Sequence, residues 1–188
     1  MTNSEIWLVR HGETEWSRTG QHTGRTDLPL TERGRAEARA VAALLEGVNF
    51  NQVLVSPLRR ALETCEIAGF GGRARVERDA MEWDYGELNG LTRAEIKALH
   101  GPDWTIWRGP VPGGETLSDV AARAAGVLAR LPAGRSLIFA HGHFLRIFTA
   151  VYLGLPPETA KHFALATARV SILGEDYGQP AIVRWNAA

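Results

Sequence analysis

The chain has 188 residues, 45% hydrophobic and 22% charged, with 21 Lys+Arg against 21 Asp+Glu. That length suits a single domain over residues 1–188, and the zero net charge argues against nucleic acid or an anionic membrane as partner. One cysteine, Cys65, excludes an internal disulfide framework and a cysteine-rich zinc site. No stretch is long and apolar enough to span a membrane, and Met1 to Glu5 has no basic-then-apolar leader, so the cytoplasm is the expected compartment.

Glu5 to Arg10 reads as a buried strand that ends on Arg10-His11-Gly12. Thr31 then caps an Ala/Leu-rich helix that runs through Leu45 and closes at Gly47. Gln52 to Val55 is a second short strand. Ser56-Pro57 opens a helix through Ala68, with Ser as N-cap and Pro at the first helical position. Arg73 to Glu77 alternates as a third strand would. Met81 to Pro112 is aromatic and Gly/Pro-rich, with one short helix near Thr92 to Leu99. A long helix is expected from Glu115 to Leu131, a strand over Ser136 to Ala140, and a helix from Phe144 to Leu153. Two strands follow, near Ala168 to Leu173 and Ala181 to Trp185. Strands alternating with helices predict an α/β fold: a three-layer α/β/α sandwich with a mostly parallel central sheet.

Three strand ends carry chemistry: Arg10-His11-Gly12, then Ser56-Pro57 with Arg59-Arg60, and finally His141-Gly142-His143. In a parallel sheet the carboxyl ends share one edge, so these segments can converge there. The acidic loop Glu82 to Gly86 could reach the same edge. Two arginines, two histidines and a glutamate suit phosphoryl transfer. Arginine forks match phosphoryl oxygens, a neutral imidazole can attack phosphorus, and a carboxylic acid can protonate the leaving oxygen. The start of the helix at Pro57 would add backbone N–H groups. Each piece alone has a plainer reading: a surface Arg-His pair, a solvated Arg59-Arg60 face, half of a metal site at His141 and His143, and an ordinary carboxylate at Glu82. Cys65 reads as a small core residue. Trp83, Trp104 and Trp107 could wall the pocket around Glu82 or simply pack the core.

"LVRHGETEW" resembles the signature of the histidine phosphatase superfamily, the phosphoglycerate mutase-like family. "HTGRTDLPLTERG", "SPLRRALET", "EWDYGELNG", "PGGETLSDVAAR" and "FAHGHFLR" follow in that family's order. The resemblance implies that His11 is the phosphorylated nucleophile. Arg10 and Arg59 would clamp the phosphoryl oxygens, and a protonated His141 would complete that pocket. Glu82 would donate a proton and then activate water. Ser17, Thr23, Gly24 and Gly142 would line the substrate pocket. Arg60 is read as pointing away, structural or at the rim, and His143 as supporting His141, with His22 of lesser weight. No metal and no cofactor are implied. The implied partner is a small phosphorylated metabolite, and a homodimer is compatible with the resemblance.

The family includes phosphatases and mutases. The compact stretch from Glu82 to His141, the end of the chain soon after Trp185, Ser17, and Gly109 where mutases carry a second arginine after Trp107-Arg108 resemble the acid phosphatase and sugar-bisphosphate phosphatase branch. The expected activity is therefore metal-independent hydrolysis of small phosphate monoesters through a phosphohistidine. A cofactor-dependent phosphoglycerate mutase is the alternative. Rivals from other classes are a metallohydrolase built on His11, His22, His141 and His143, and a phosphate-binding module without turnover. Arg93 and Arg108 could meet a second anionic group or remain solvated.

Overall fold

The computed structural model describes residues 4–188, so the leader-free reading of Met1 to Asn3 concerns residues outside that range. In chain order the elements are β1 (Glu5–Arg10), α1 (Glu15–Thr19), α2 (Glu32–Leu45), β2 (Gln52–Val55), α3 (Arg59–Ile67), β3 (Arg75–Val76) and α4 (Arg93–His100). They continue with α5 (Leu117–Ala129), β4 (Arg135–Ala140), α6 (Gly142–Tyr152), β5 (Val170–Asp176) and β6 (Gln179–Ala187). Short 3-10 turns cover Arg78–Ala80, Gly86–Leu88 and Pro157–His162.

One sheet holds the strands in the order β3-β2-β4-β1-β5-β6. The β1/β4, β2/β4 and β2/β3 pairs are parallel, while β5 and β6 turn antiparallel at one edge. Strand β4 is buried from Ser136 to Ala140, as a central strand covered on both faces must be. On one face Leu8, Leu54 and Ile138 pack with Phe144 and Phe148 of α6 and Val120 and Ala124 of α5. On the other, Val9, Val55 and Phe139 pack with Val41 and Leu45 of α2 and Ala61 and Cys65 of α3. This is the expected three-layer α/β arrangement. Cys65 is fully buried and its thiol is pushed up to about 12, chiefly by burial, so it is the inert core residue anticipated.

Threonine caps set the helix starts. Thr31 accepts from the Gly34 N–H, and Thr92 and Thr116 form capping boxes with Glu95 and Asp119, each cap contributing about 1 kcal/mol. Helix α3 departs from expectation. It begins at Arg59 rather than at Pro57, and its N-cap is Leu58, without a side-chain cap. Ser56 instead turns its hydroxyl to His141, at 2.7 Å. Strand β3 shrinks to two residues, and α1 was not anticipated, because five residues carry no apolar period.

The register places Arg10 opposite Ala140 and Val55 opposite Phe139. His11, Ser56 and His141 therefore leave the sheet side by side at one edge.

Candidate active site

At that edge lies a cavity of about 200 Å³. Arg10 and His11 from the end of β1, Arg60 from α3, Glu82 from the following loop and Gly142 from the start of α6 line it. Ser17 and Thr23 also line it, as expected, and so do Gln21, His22, Tyr85, His143, Arg146 and Leu165.

His11 is 4% exposed. Its Nδ1 lies 2.7 Å from the Gly12 carbonyl, and Arg60 Nε donates to its Nε2 at 3.3 Å. A carbonyl only accepts and a guanidinium only donates, so the partners assign the proton to Nδ1 and the lone pair to Nε2. Burial first, then the Arg60 and Arg10 guanidinium groups, hold this imidazole well below the usual histidine range. Both effects disfavour the charged ring; in the neutral ring the Nε2 lone pair accepts from Arg60.

Arg60 is the second arginine of the site, which corrects the assignment of that role to Arg59. Arg60 is fully buried, and it donates through Nη1 to the Thr26 carbonyl at 2.9 Å and through Nη2 to the Gly24 carbonyl at 2.7 Å. Arg59 lies on the outer face, its side chain 57% exposed and paired with Glu63 one turn on, at 2.6 Å. A helix turns about 100° per residue, so Arg59 and Arg60 point in different directions. The inward stripe of α3 is Arg60, Ala61, Thr64 and Cys65. The Arg59/Glu63 spacing marks the solvent face and was the signal available in the sequence. The start of α3 is also not open to an anion, because Asp27 accepts from the Arg59 N–H at 2.7 Å.

Arg10 donates through Nη1 to the Leu165 carbonyl at 2.5 Å, while its buried Nε has no partner among the described residues. Gly142 gives it room: a Cβ there would lie 3.3 Å from the Arg10 guanidinium carbon. Gly24 does not line the cavity. It acts through its carbonyl on Arg60.

His141 does not line the cavity; it is fully buried, its ring centroid 5.3 Å from that of His11. Nε2 meets Ser56 Oγ, and Nδ1 has no partner among the described residues. Burial, then Arg60, His11 and Arg10, depress its pKa well below the usual range. Both effects disfavour the charged form of this ring.

The Glu82 carboxylate accepts three backbone N–H groups: Trp83 at 3.0 Å and Phe144 at 2.9 Å on Oε1, and His143 at 3.1 Å on Oε2. It thus sits on the first turn of α6, where the helix dipole favours a carboxylate. Tryptophans do not wall it. Trp83 is core, its indole N–H donating to the Glu115 carbonyl at 2.7 Å, and Trp104 and Trp107 line an adjoining compartment. His143 Nδ1 lies 2.5 Å from the Tyr85 hydroxyl, not against His141. Among the described residues no group of three His, Cys, Asp or Glu side chains is placed to hold a metal ion. None of their helices is long and apolar enough to cross a membrane.

A family model described as the histidine phosphatase superfamily (branch 1) matches residues 6–188. An acid phosphatase of Mycobacterium tuberculosis is 37% identical over 182 residues, spanning 94% of this chain and 89% of that protein. A 2,3-bisphosphoglycerate-dependent phosphoglycerate mutase of Azorhizobium caulinodans is 36% identical over 178 residues, spanning 85% of this chain and 86% of that one. The solved structure of an open reading frame from Mycobacterium tuberculosis has a TM-score of 0.92 at 34% identity, covering 98% of each chain.

Proposed function

The chain belongs to the histidine phosphatase superfamily, and we propose that it is a metal-independent phosphatase of small phosphate monoesters acting through a phosphohistidine. The observation that carries this reading is the neutral His11, with its Nε2 lone pair beside the Arg60 guanidinium.

Nε2 attacks phosphorus in line, the P–N bond forms and the P–O ester bond breaks. Arg10 and Arg60 take up the charge on the phosphoryl oxygens, with the unpartnered Arg10 Nε as a further donor. Glu82 gives a proton to the leaving alkoxide, then removes one from the water that attacks the phosphohistidine. Inorganic phosphate leaves and His11 is restored.

Identity alone divides between hydrolase and mutase, at 37% and 36%. Gly109 favours hydrolysis. A Cβ there would lie 2.1 Å from the Trp104 indole, so the second arginine that the mutases resembling this chain carry has no room.

The test is phosphate release from 3-phosphoglycerate, a sugar bisphosphate and an activated aryl phosphate, with chelator present and 2-phosphoglycerate assayed in the same tubes. Free phosphate and an acid-labile phosphoenzyme that His11→Ala abolishes are expected. Isomer formation stimulated by 2,3-bisphosphoglycerate would overturn the proposal in favour of a mutase.

A further inference from the structure

Thr64 is fully buried on the inward stripe of α3, beside Ala61 and Cys65. A hydroxyl placed there must find partners, and it finds two. It donates to the Arg60 carbonyl one turn back, at 2.7 Å, and it accepts from the Gly12 N–H at 3.0 Å. The first bond is the ordinary back-bond of a helical threonine. The second reaches 52 residues back in sequence, to the residue that follows the nucleophile.

The sheet holds most of the backbone around His11. The His11 N–H donates to the Ala140 carbonyl at 3.0 Å, and the His11 carbonyl accepts from the Ala168 N–H at 3.1 Å. The Gly12 N–H lies beyond the strand and is held by Thr64 instead. Gly12 is also pressed against α2, where a Cβ on it would collide with the Gly34 carbonyl. Its own carbonyl meets His11 Nδ1 at 2.7 Å, and Arg60 Nε meets His11 Nε2 at 3.3 Å. These contacts close a circuit from His11 through Gly12, Thr64 and Arg60 back to His11.

We propose that Thr64 is a positioning residue of the nucleophile. Its hydroxyl ties the Gly12 N–H to the turn of α3 that carries Arg60, and so sets the direction of the His11 ring and its spacing from the guanidinium. The hydroxyl proton is committed to the Arg60 carbonyl, which leaves a lone pair for Gly12. Thr64 does not line the cavity, so it acts through His11 and not on the substrate. A slightly misplaced ring misses in-line attack, and the effect falls on the rate of His11 phosphorylation rather than on phosphate binding by Arg10 and Arg60. This rests on the phosphohistidine reading above.

The test separates hydroxyl from volume. Thr64→Val keeps the shape and loses the hydroxyl, whereas Thr64→Ser keeps the hydroxyl and loses a methyl. Thr64→Val should lower kcat/KM by about 10–100-fold, equally for an alkyl and an aryl phosphate, with the inhibition constant of inorganic phosphate within about three-fold of wild type. Thr64→Ser should retain kcat/KM within about three-fold. Nitrogen NMR of the His11 ring should show the proton on Nδ1 in the wild type and in Thr64→Ser, and a mixture of tautomers in Thr64→Val. If Thr64→Val does not fold, Thr64→Cys, whose sulfur is a weak acceptor, takes its place, and wild-type activity in it would overturn the proposal. An active Thr64→Val beside an impaired Thr64→Ser would make Thr64 a packing residue and overturn it too. So would a loss confined to alkyl phosphates, or a loss in phosphate affinity alone. No turnover of any ester by the wild type, an activated aryl phosphate included, would remove the phosphatase reading; ring signals unchanged by Thr64→Val would then remove the positioning role as well, and altered ones would uphold it.

Discussion

Arg59 and Arg60 are adjacent in sequence and opposite in consequence. Arg60→Ala removes a fully buried guanidinium that touches His11 and organises the Gly24 and Thr26 carbonyls. Losing one pre-organised cationic donor at a transferring phosphoryl group raises the barrier by about 2.7–4 kcal/mol, or about 10²–10³ in kcat/KM. The fold is weakened too, since two carbonyls lose their donor, at about 1–3 kcal/mol for each group left buried and unpaired. Arg59→Ala removes only the exposed pair with Glu63, worth about 0.3–0.5 kcal/mol, and should leave kcat/KM within about two-fold. The assay is steady-state hydrolysis of an aryl phosphate for both variants. Urea unfolding run alongside separates lost catalysis from lost protein. Arg60→Lys, which keeps a charge but not the fork, should fall between wild type and alanine. A loss of more than about ten-fold in Arg59→Ala, or of less than about three-fold in folded Arg60→Ala, would refute the assignment.

Stability should fall in mild acid. Burial holds the His11, His141 and His143 imidazoles well below the ordinary range, so each is neutral when folded and titrates near 6.5 when unfolded. Below that pH the unfolded chain binds more protons, and stability drops as pH falls, by up to about 1.4 kcal/mol per ring at pH 5.5. Urea midpoints at pH 5.5 and 7.5 check this, and equal midpoints would mean the rings are protonated when folded. Vanadate or phosphate should raise Tm, and more at pH 5.5, because a bound anion favours the protonated rings. Glu82→Gln should slow alkyl phosphates by about 10²–10⁴ and an aryl phosphate much less, because a good leaving group needs no proton. Equal losses on both would remove Glu82 from the acid role. Gly142→Ala should lower activity without unfolding the chain, since its methyl would press on the Arg10 guanidinium, and near-normal kcat/KM would show that Arg10 can shift freely.

The sheet was legible because its central strands are short apolar runs bounded by turn residues, and the helices because Ala/Leu periods and threonine caps mark them. Strand β1 and the capped starts of α2 and α4 fall where the residues indicated. Arg10, His11 and His141 were legible as chemical types at strand ends and Glu82 in an acidic loop, and Arg10, His11 and Glu82 line one cavity with His141 packed 5.3 Å from His11. The failures share a cause: they depend on which way a side chain faces. Ser56-Pro57 carries every mark of a helix start, yet Ser56 turns to His141 and the helix begins two residues later. The clamp role carried to Arg59 by resemblance falls instead on its inward-facing neighbour Arg60. His143 paired with Tyr85, and the tryptophans displaced from Glu82, are contacts between segments far apart in sequence, which no local period encodes.

The site is built against the stability of the fold. Arg60, buried, and Arg10, half-buried, lie beside two imidazoles, and the nearby carboxylate of Glu82 faces backbone N–H groups rather than either guanidinium. An acid placed to pair with these arginines would steady the empty chain and occupy the position of the phosphoryl group. A bound dianion reverses the balance. On the proposed mechanism it would offer acceptors to Arg10 Nε, and its charge would raise the pKa of the neighbouring His141. Burial and the same positive field disfavour protonation of His11, and the Nδ1 contact to Gly12 leaves the lone pair on Nε2, where it accepts from Arg60. On the proposed mechanism the two guanidinium groups would serve both binding and activation, so a substitution that removes either one would weaken both.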